Sequence, residues 1–94
     1  MDNIAAIKMT LQAKIGATIV EIVDRSEQHK HHQGRMNAPA GSGHYDAVIV
    51  AESFAGKTMM QQHRMVYAAL ADQMQTTIHA LSLKTYTPEQ WQQL

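Results

Sequence analysis

The chain is 94 residues long, with eight Lys and Arg, eight Asp and Glu, and a formal net charge of zero. That length holds one domain with a modest core, and the balanced charge lacks the basic surplus that announces a nucleic-acid or anionic-membrane partner. No cysteine is present, which excludes disulfides, thiol catalysis and all-cysteine metal sites. Six histidines are the compositional outlier, four of them between His29 and His44. No apolar run approaches the ~20 residues of a membrane span, and no basic leader precedes an apolar stretch. The expectation is a soluble cytoplasmic protein, a single domain over residues 1–94.

From Asn3 to Ile15 the apolar residues Ile4, Ile7, Leu11 and Ile15 recur every three or four positions, the stripe of an amphipathic helix, which Gly16 ends. Thr18 to Asp24 is short and β-branched, and reads as a strand. The stretch from Arg25 to Gly43, broken by Gly34, Pro39, Gly41 and Gly43, reads as a loop longer than the ~12–15 residues usual in compact domains, which favours a functional role or disorder. Tyr45 to Ala51 is a second strand, expected antiparallel to the first.

Phe54-Ala55-Gly56-Lys57-Thr58 predicts a buried anchor, a tight turn and a helix start, with Thr58 and Gln61 as a capping box. A helix follows to about Gln75, with Met59, His63, Val66, Leu70 and Met74 on one face and Tyr67 beside it. Ile78 to Leu83 alternates as a strand, so that strict parity sends His79, Leu81 and Leu83 to one side. Thr87-Pro88-Glu89-Gln90 predicts an N-cap, Pro at the first helical position and a second capping box, with Tyr86 and Trp91 as a hydrophobic staple. The order α-β-β-α-β-α predicts an α+β two-layer sandwich, a three-stranded mixed sheet with helices on one face and the last strand parallel to one neighbour.

Histidine serves as a metal ligand, a proton carrier or a satisfied core residue. His29, His31 and His32 fall in the long loop, and His44, His63 and His79 at or within regular elements. No H-E-x-x-H or C-x-x-C pattern supplies a zinc site. His63, on an apolar stripe, reads as a buried, hydrogen-bonded side chain, and His79 alone as core or ligand. The methionines Met59, Met60, Met65 and Met74 read as core filling. No serine sits in a nucleophile elbow, and Gly56-Lys57 reads as a turn before it reads as a phosphate site.

Several of these segments together resemble the BolA family: Asp24-Arg25-Ser26-Glu27-Gln28-His29, Gly41-Ser42-Gly43-His44-Tyr45, Phe54 to Thr58, Gln62-His63-Arg64-Met65-Val66-Tyr67, and Thr77-Ile78-His79-Ala80-Leu81-Ser82-Leu83, followed by Thr85 to Trp91. The likeness covers nearly the whole chain in order. It implies a class II KH-like fold and a non-enzymatic partner of monothiol glutaredoxins, sharing a bridging 2Fe–2S cluster in iron-sulfur trafficking or iron regulation. The glutaredoxin supplies its cysteine and a bound glutathione; no cofactor is expected in the isolated chain. By this resemblance the strand ligand is His79 and the loop ligand His29, with His32 as the alternative. Two imidazoles in place of two thiolates raise the potential of such a cluster and make its binding sensitive to pH. The chain departs from the family pattern at Arg25, in place of an acidic residue, in the additional loop residues His31 to Asn37, and at Gln62, in place of an arginine.

The resemblance also implies an alternative, a DNA-binding transcriptional regulator using residues 54–67 in a helix-turn-helix-like or KH-like manner. Lys57 and Arg64, with His63, are its contact residues; phosphate binding wants more cations than these. Gly56 supplies only part of a KH-type G-x-x-G loop. A stand-alone zinc or nickel binder using the loop histidines is a third reading. The sequence leaves open whether the free chain is a monomer or a weak homodimer.

Overall fold

The computed structural model describes residues 3–25 and 43–94. The expected loop histidines His29, His31 and His32 lie outside these residues. The elements follow the expected order: α1 (Asn3–Lys14), β1 (Ile19–Asp24), β2 (Gly43–Val50), a 3-10 turn (Glu52–Phe54), α2 (Met59–Ala69), α3 (Ala71–Thr76), β3 (Ile78–Tyr86) and α4 (Pro88–Gln92). The sheet order is β1-β2-β3. β1 pairs antiparallel with β2, and β2 pairs parallel with β3, the crossover running through α2 and α3.

The α1 stripe does what its spacing dictates. Ile7 and Leu11 are fully buried and Ile15 nearly so, and Ile4 packs at the margin of the same cluster. Each fully buried aliphatic side chain contributes about 1.5–3 kcal/mol of transfer free energy. The chain leaves α1 through Gly16 at φ 73°, a left-handed backbone that glycine adopts without steric cost. On β2 the alternate residues Tyr45, Ala47 and Ile49 are buried against the helices, joined from β1 by Val20 and Ile22 and from β3 by Leu81 and Leu83. Phe54 closes the cluster with no exposed surface. The opposite face of the sheet carries Glu21, Val23, Asp46, Ser82 and Lys84 and is open.

The expected helix from Met59 to Gln75 is divided at Leu70, which has φ −100° and ψ 17°. Its hydrogen bonds continue through the join, from Leu70 N–H to Val66 O and from Met74 N–H to Leu70 O. The result is a kink that keeps Leu70 fully buried, while Gln73 Nε2 donates to Thr10 Oγ1 at 2.8 Å and ties α3 to α1. Both predicted capping boxes are formed, at Thr58/Gln61 and Thr87/Gln90. The Tyr86 and Trp91 rings stand 5.6 Å apart, as the staple requires. A five-residue helix depends on such devices, so Thr87→Ala is expected to lower stability by about 1 kcal/mol. Thermal unfolding, together with loss of the Tyr86–Trp91 contact by near-ultraviolet dichroism, checks it.

Candidate functional site

β3 is an edge strand, and its first turn of pairing is irregular. Gly43 is the partner of Ile78 but His44 is the partner of Ala80, so His79 is the extra residue of a β-bulge. A bulge sends two successive side chains toward one side. Ile78 is 2% exposed and belongs to the core, whereas His79 is exposed and its ring meets that of His44, with centroids 5.2 Å apart and planes 31° apart. This corrects the parity expectation. His79 does not share a face with Leu81 and Leu83; the bulge turns it out to the side where His44 stands. Ile78 and Leu81 both claim the core, two residues of one strand that strict alternation would set on opposite faces, and the extra residue between them resolves the conflict.

His44, read from sequence as structural or as part of a partner surface, is thus the described histidine nearest to His79. Its signal was indirect: only the parallel register of β2 with β3 sets the two rings together. Among the described residues no three His, Cys, Asp or Glu side chains gather to hold a metal ion.

Both ends of segment 26–42 emerge beside this pair. Arg25 N–H donates to His44 O at 2.7 Å, and Gly43 N–H to Thr77 O at 3.1 Å. Arg25 also reaches across the sheet, its Nε donating to Asp46 Oδ2 at 2.8 Å. Both side chains are substantially exposed, 39% and 46%, so the pair contributes about 1 kcal/mol or less. It accounts for a cation at position 25, where an acidic residue would face Asp46. Crossing from β1 to β3 takes two strand spacings, about 10 Å. His29 stands four residues beyond Arg25, and four extended residues span about 13–14 Å, enough to bring its imidazole to His79.

The second group of expected contact residues lies on the turn and α2. Gly56 takes φ 75°, and Lys57 Nζ donates to Ser53 O at 2.8 Å, which holds the ammonium to the turn. Arg64 is exposed, its Nη2 meeting Met60 Sδ at 3.6 Å. His63 is half-buried, on the wall of a groove rather than in the core, which corrects its reading as a buried residue. Met59 and Met60 are 68% and 64% exposed and are not core filling; Met65 and Met74 are packed against the core.

The buried polar residue of this helix is Gln62, 7% exposed. Its Nε2 donates to Phe54 O at 3.2 Å and Lys57 O at 2.9 Å, and its Oε1 accepts from Thr85 Oγ1 at 2.6 Å. One amide fastens the glycine turn, α2 and β3 together. An uncharged donor–acceptor side chain is required there, which is the physical content of the glutamine noted above as a departure.

The family model described as BolA-like protein matches residues 11–90. The chain belongs to the BolA-like family. It is 39% identical over 89 residues to the Escherichia coli (strain K12) DNA-binding transcriptional regulator BolA, covering 94% of this chain and 78% of that protein. It is 32% identical to human BolA-like protein 1, covering 95% of this chain but 61% of that protein's length. The solved structure of BolA1 from Arabidopsis thaliana matches with a TM-score of 0.80 at 29% identity over 95% of each chain. The α+β fold expected from the residues is thus the BolA fold, and in this BolA-like chain the pair formed by exposed His79 and half-buried His44 sits at the end of the sheet where segment 26–42 begins and ends.

Proposed function

We propose that this chain is a non-enzymatic adaptor that binds a monothiol glutaredoxin and supplies imidazole ligands to a bridging 2Fe–2S cluster, His79 from β3 and His29 from the segment after β1, with His32 as the alternative. The glutaredoxin contributes its cysteine and bound glutathione. The observation that carries this reading is the bulge that exposes His79 at the end of an edge strand, within reach of that segment. Neutral imidazole is a good iron ligand, and an exposed site at a sheet end lets a partner approach without opening the core. When bound, the cluster would supply iron and sulfide for delivery or sensing; the chain's own part is to present lone pairs and a docking face.

The 5.2 Å separation of the His44 and His79 rings favours a second assignment within the same function. Two imidazoles on one tetrahedral ion, with metal–nitrogen bonds of about 2.0–2.1 Å, place their centroids about 5 Å apart, so His44 also has the spacing of a co-ligand. Mixing the chain with cluster-loaded glutaredoxin and following visible absorption and circular dichroism tests both. Replacing His29, His32 and His44 by Ala in turn is expected to leave one variant unable to alter the cluster spectrum. An unchanged spectrum in all three would sink the two-imidazole arrangement.

DNA binding is the second function supported, by the likeness to the Escherichia coli DNA-binding transcriptional regulator BolA and by the exposed Arg64 on α2. With Lys57 tied to its own turn, the surface offers few phosphate contacts. Affinity for duplex DNA is therefore expected to fall by about tenfold or less between low and physiological salt, a shallow slope. A steep slope with clear sequence preference, lost in Arg64→Ala, would establish the regulator reading instead.

A further inference from the structure

The backbone of β3 is used on one edge only. Ala51 N–H donates to Tyr86 O, and Gly43 N–H to Thr77 O before the bulge, so in the parallel register the even residues from Ala80 to Tyr86 turn their backbone groups toward β2. Leu81, Leu83 and Thr85 turn theirs outward. Leu81 O is taken by Tyr67 Oη at 3.2 Å. Leu83 and Thr85 instead open onto a groove of about 710 Å³ between β3, α2 and α4, lined by Lys57, Met59, His63, Lys84 and Leu94 among others, with no acidic side chain in its lining among the described residues. Met59 and Leu94 are 68% and 77% exposed on its walls.

We propose that this groove receives an extended, acidic and apolar segment of a partner polypeptide, which adds to the outer edge of β3 as a fourth strand at Leu83 and Thr85. Strand addition draws affinity from main-chain hydrogen bonds and specificity from alternate side chains. The open rung offers two N–H donors and two C=O acceptors, which a peptide backbone matches and a phosphate chain, acceptor only, does not. Alternate glutamate or aspartate side chains of the segment meet Lys84 where it borders the open face of the sheet, and the intervening apolar side chains meet Met59 and Leu94 on the helix side. A second copy of this chain is the poorer occupant, because two-fold pairing about Lys84 brings like charges together. An exposed edge is a hazard that proteins cover or blunt; here Tyr67 closes the rung nearer the bulge and leaves this one open. His79 lies four residues upstream of Leu83, about 13 Å along the strand, and peptide binding at this rung stands or falls independently of the cluster.

The test titrates the full chain with a fluorescein-labelled, end-blocked octapeptide of alternating valine and glutamate. Expected are anisotropy-detected binding, amide shifts and slowed hydrogen exchange centred on Leu83 and Thr85, and at least tenfold weaker binding to a Lys84→Glu chain. The same peptide with N-methyl groups on alternate residues, titrated into the unaltered chain, is expected to lose binding in one of its two registers. Equal binding of both N-methylated registers, shifts mapped to another face, or no binding at millimolar peptide would overturn the proposal. So would single-stranded oligonucleotide occupying the groove more tightly than the peptide, or concentration-dependent dimerisation through β3.

Discussion

A His79→Ala chain is expected to fold normally and to lose the change it imposes on the spectrum of a cluster-loaded glutaredoxin. The side chain is exposed on a bulge, so its removal leaves the ladder and the core untouched, and surface substitutions of this kind stay within about 0.5 kcal/mol of the parent. The loss should therefore appear in the cluster without a change in melting temperature. Retention of the cluster in the mixed complex should drop by tenfold or more, as for removal of a metal ligand. In the unaltered chain the same retention should weaken as pH falls, because protonation removes the lone pair that ligates iron. A His79→Ala complex with an unchanged spectrum would exclude His79 as a ligand, whichever other imidazole is present.

The second large effect is on stability. Gln62→Leu keeps the volume but removes a donor to Phe54 O and Lys57 O and the acceptor of Thr85 Oγ1. Groups left unpaired away from water cost about 1–3 kcal/mol each when they cannot reach solvent; Lys57 is exposed and can recruit water, so a total of about 2–4 kcal/mol is expected. For a domain of this size each kcal/mol moves the midpoint by about 4–8 °C, a drop of roughly 10 °C or more. Thr85→Val in the Gln62→Leu background should recover part of it, since the hydroxyl that lost its acceptor is then gone. A Gln62→Leu chain as stable as the parent would show that the amide is incidental to the fold.

What the sequence discloses is what local chemistry decides. The α1 stripe, both capping boxes and the Tyr86–Trp91 staple depend on residues within five positions of one another, and all form as expected. The failures share one cause. Alternation alone sets His79 beside Leu81, but Ile78 is drawn into a core assembled from α1, β2 and α2, and the bulge follows from that competition. Periodicity places Met59 and His63 on the buried stripe, yet the buried position goes to Gln62, whose partners are carbonyls five and eight residues earlier and a hydroxyl twenty-three residues later. The His44–His79 contact needs the β2–β3 register, which no local pattern encodes. His29 and His32 remain proposed ligands on the strength of resemblance and chain reach.

β3 follows β1 and β2 in the chain, and it joins β2 in parallel, Tyr45 beside Leu81, only after α2 and α3 have crossed over. Pairings this far apart in sequence form late, since loop closure precedes their reward. Until then the ring of His79 has no fixed position relative to His44. With His79 as a ligand, iron is held only by molecules that have finished folding. Should the proposed ligand role hold, cluster retention by this chain also reports that the β2–β3 pairing has formed.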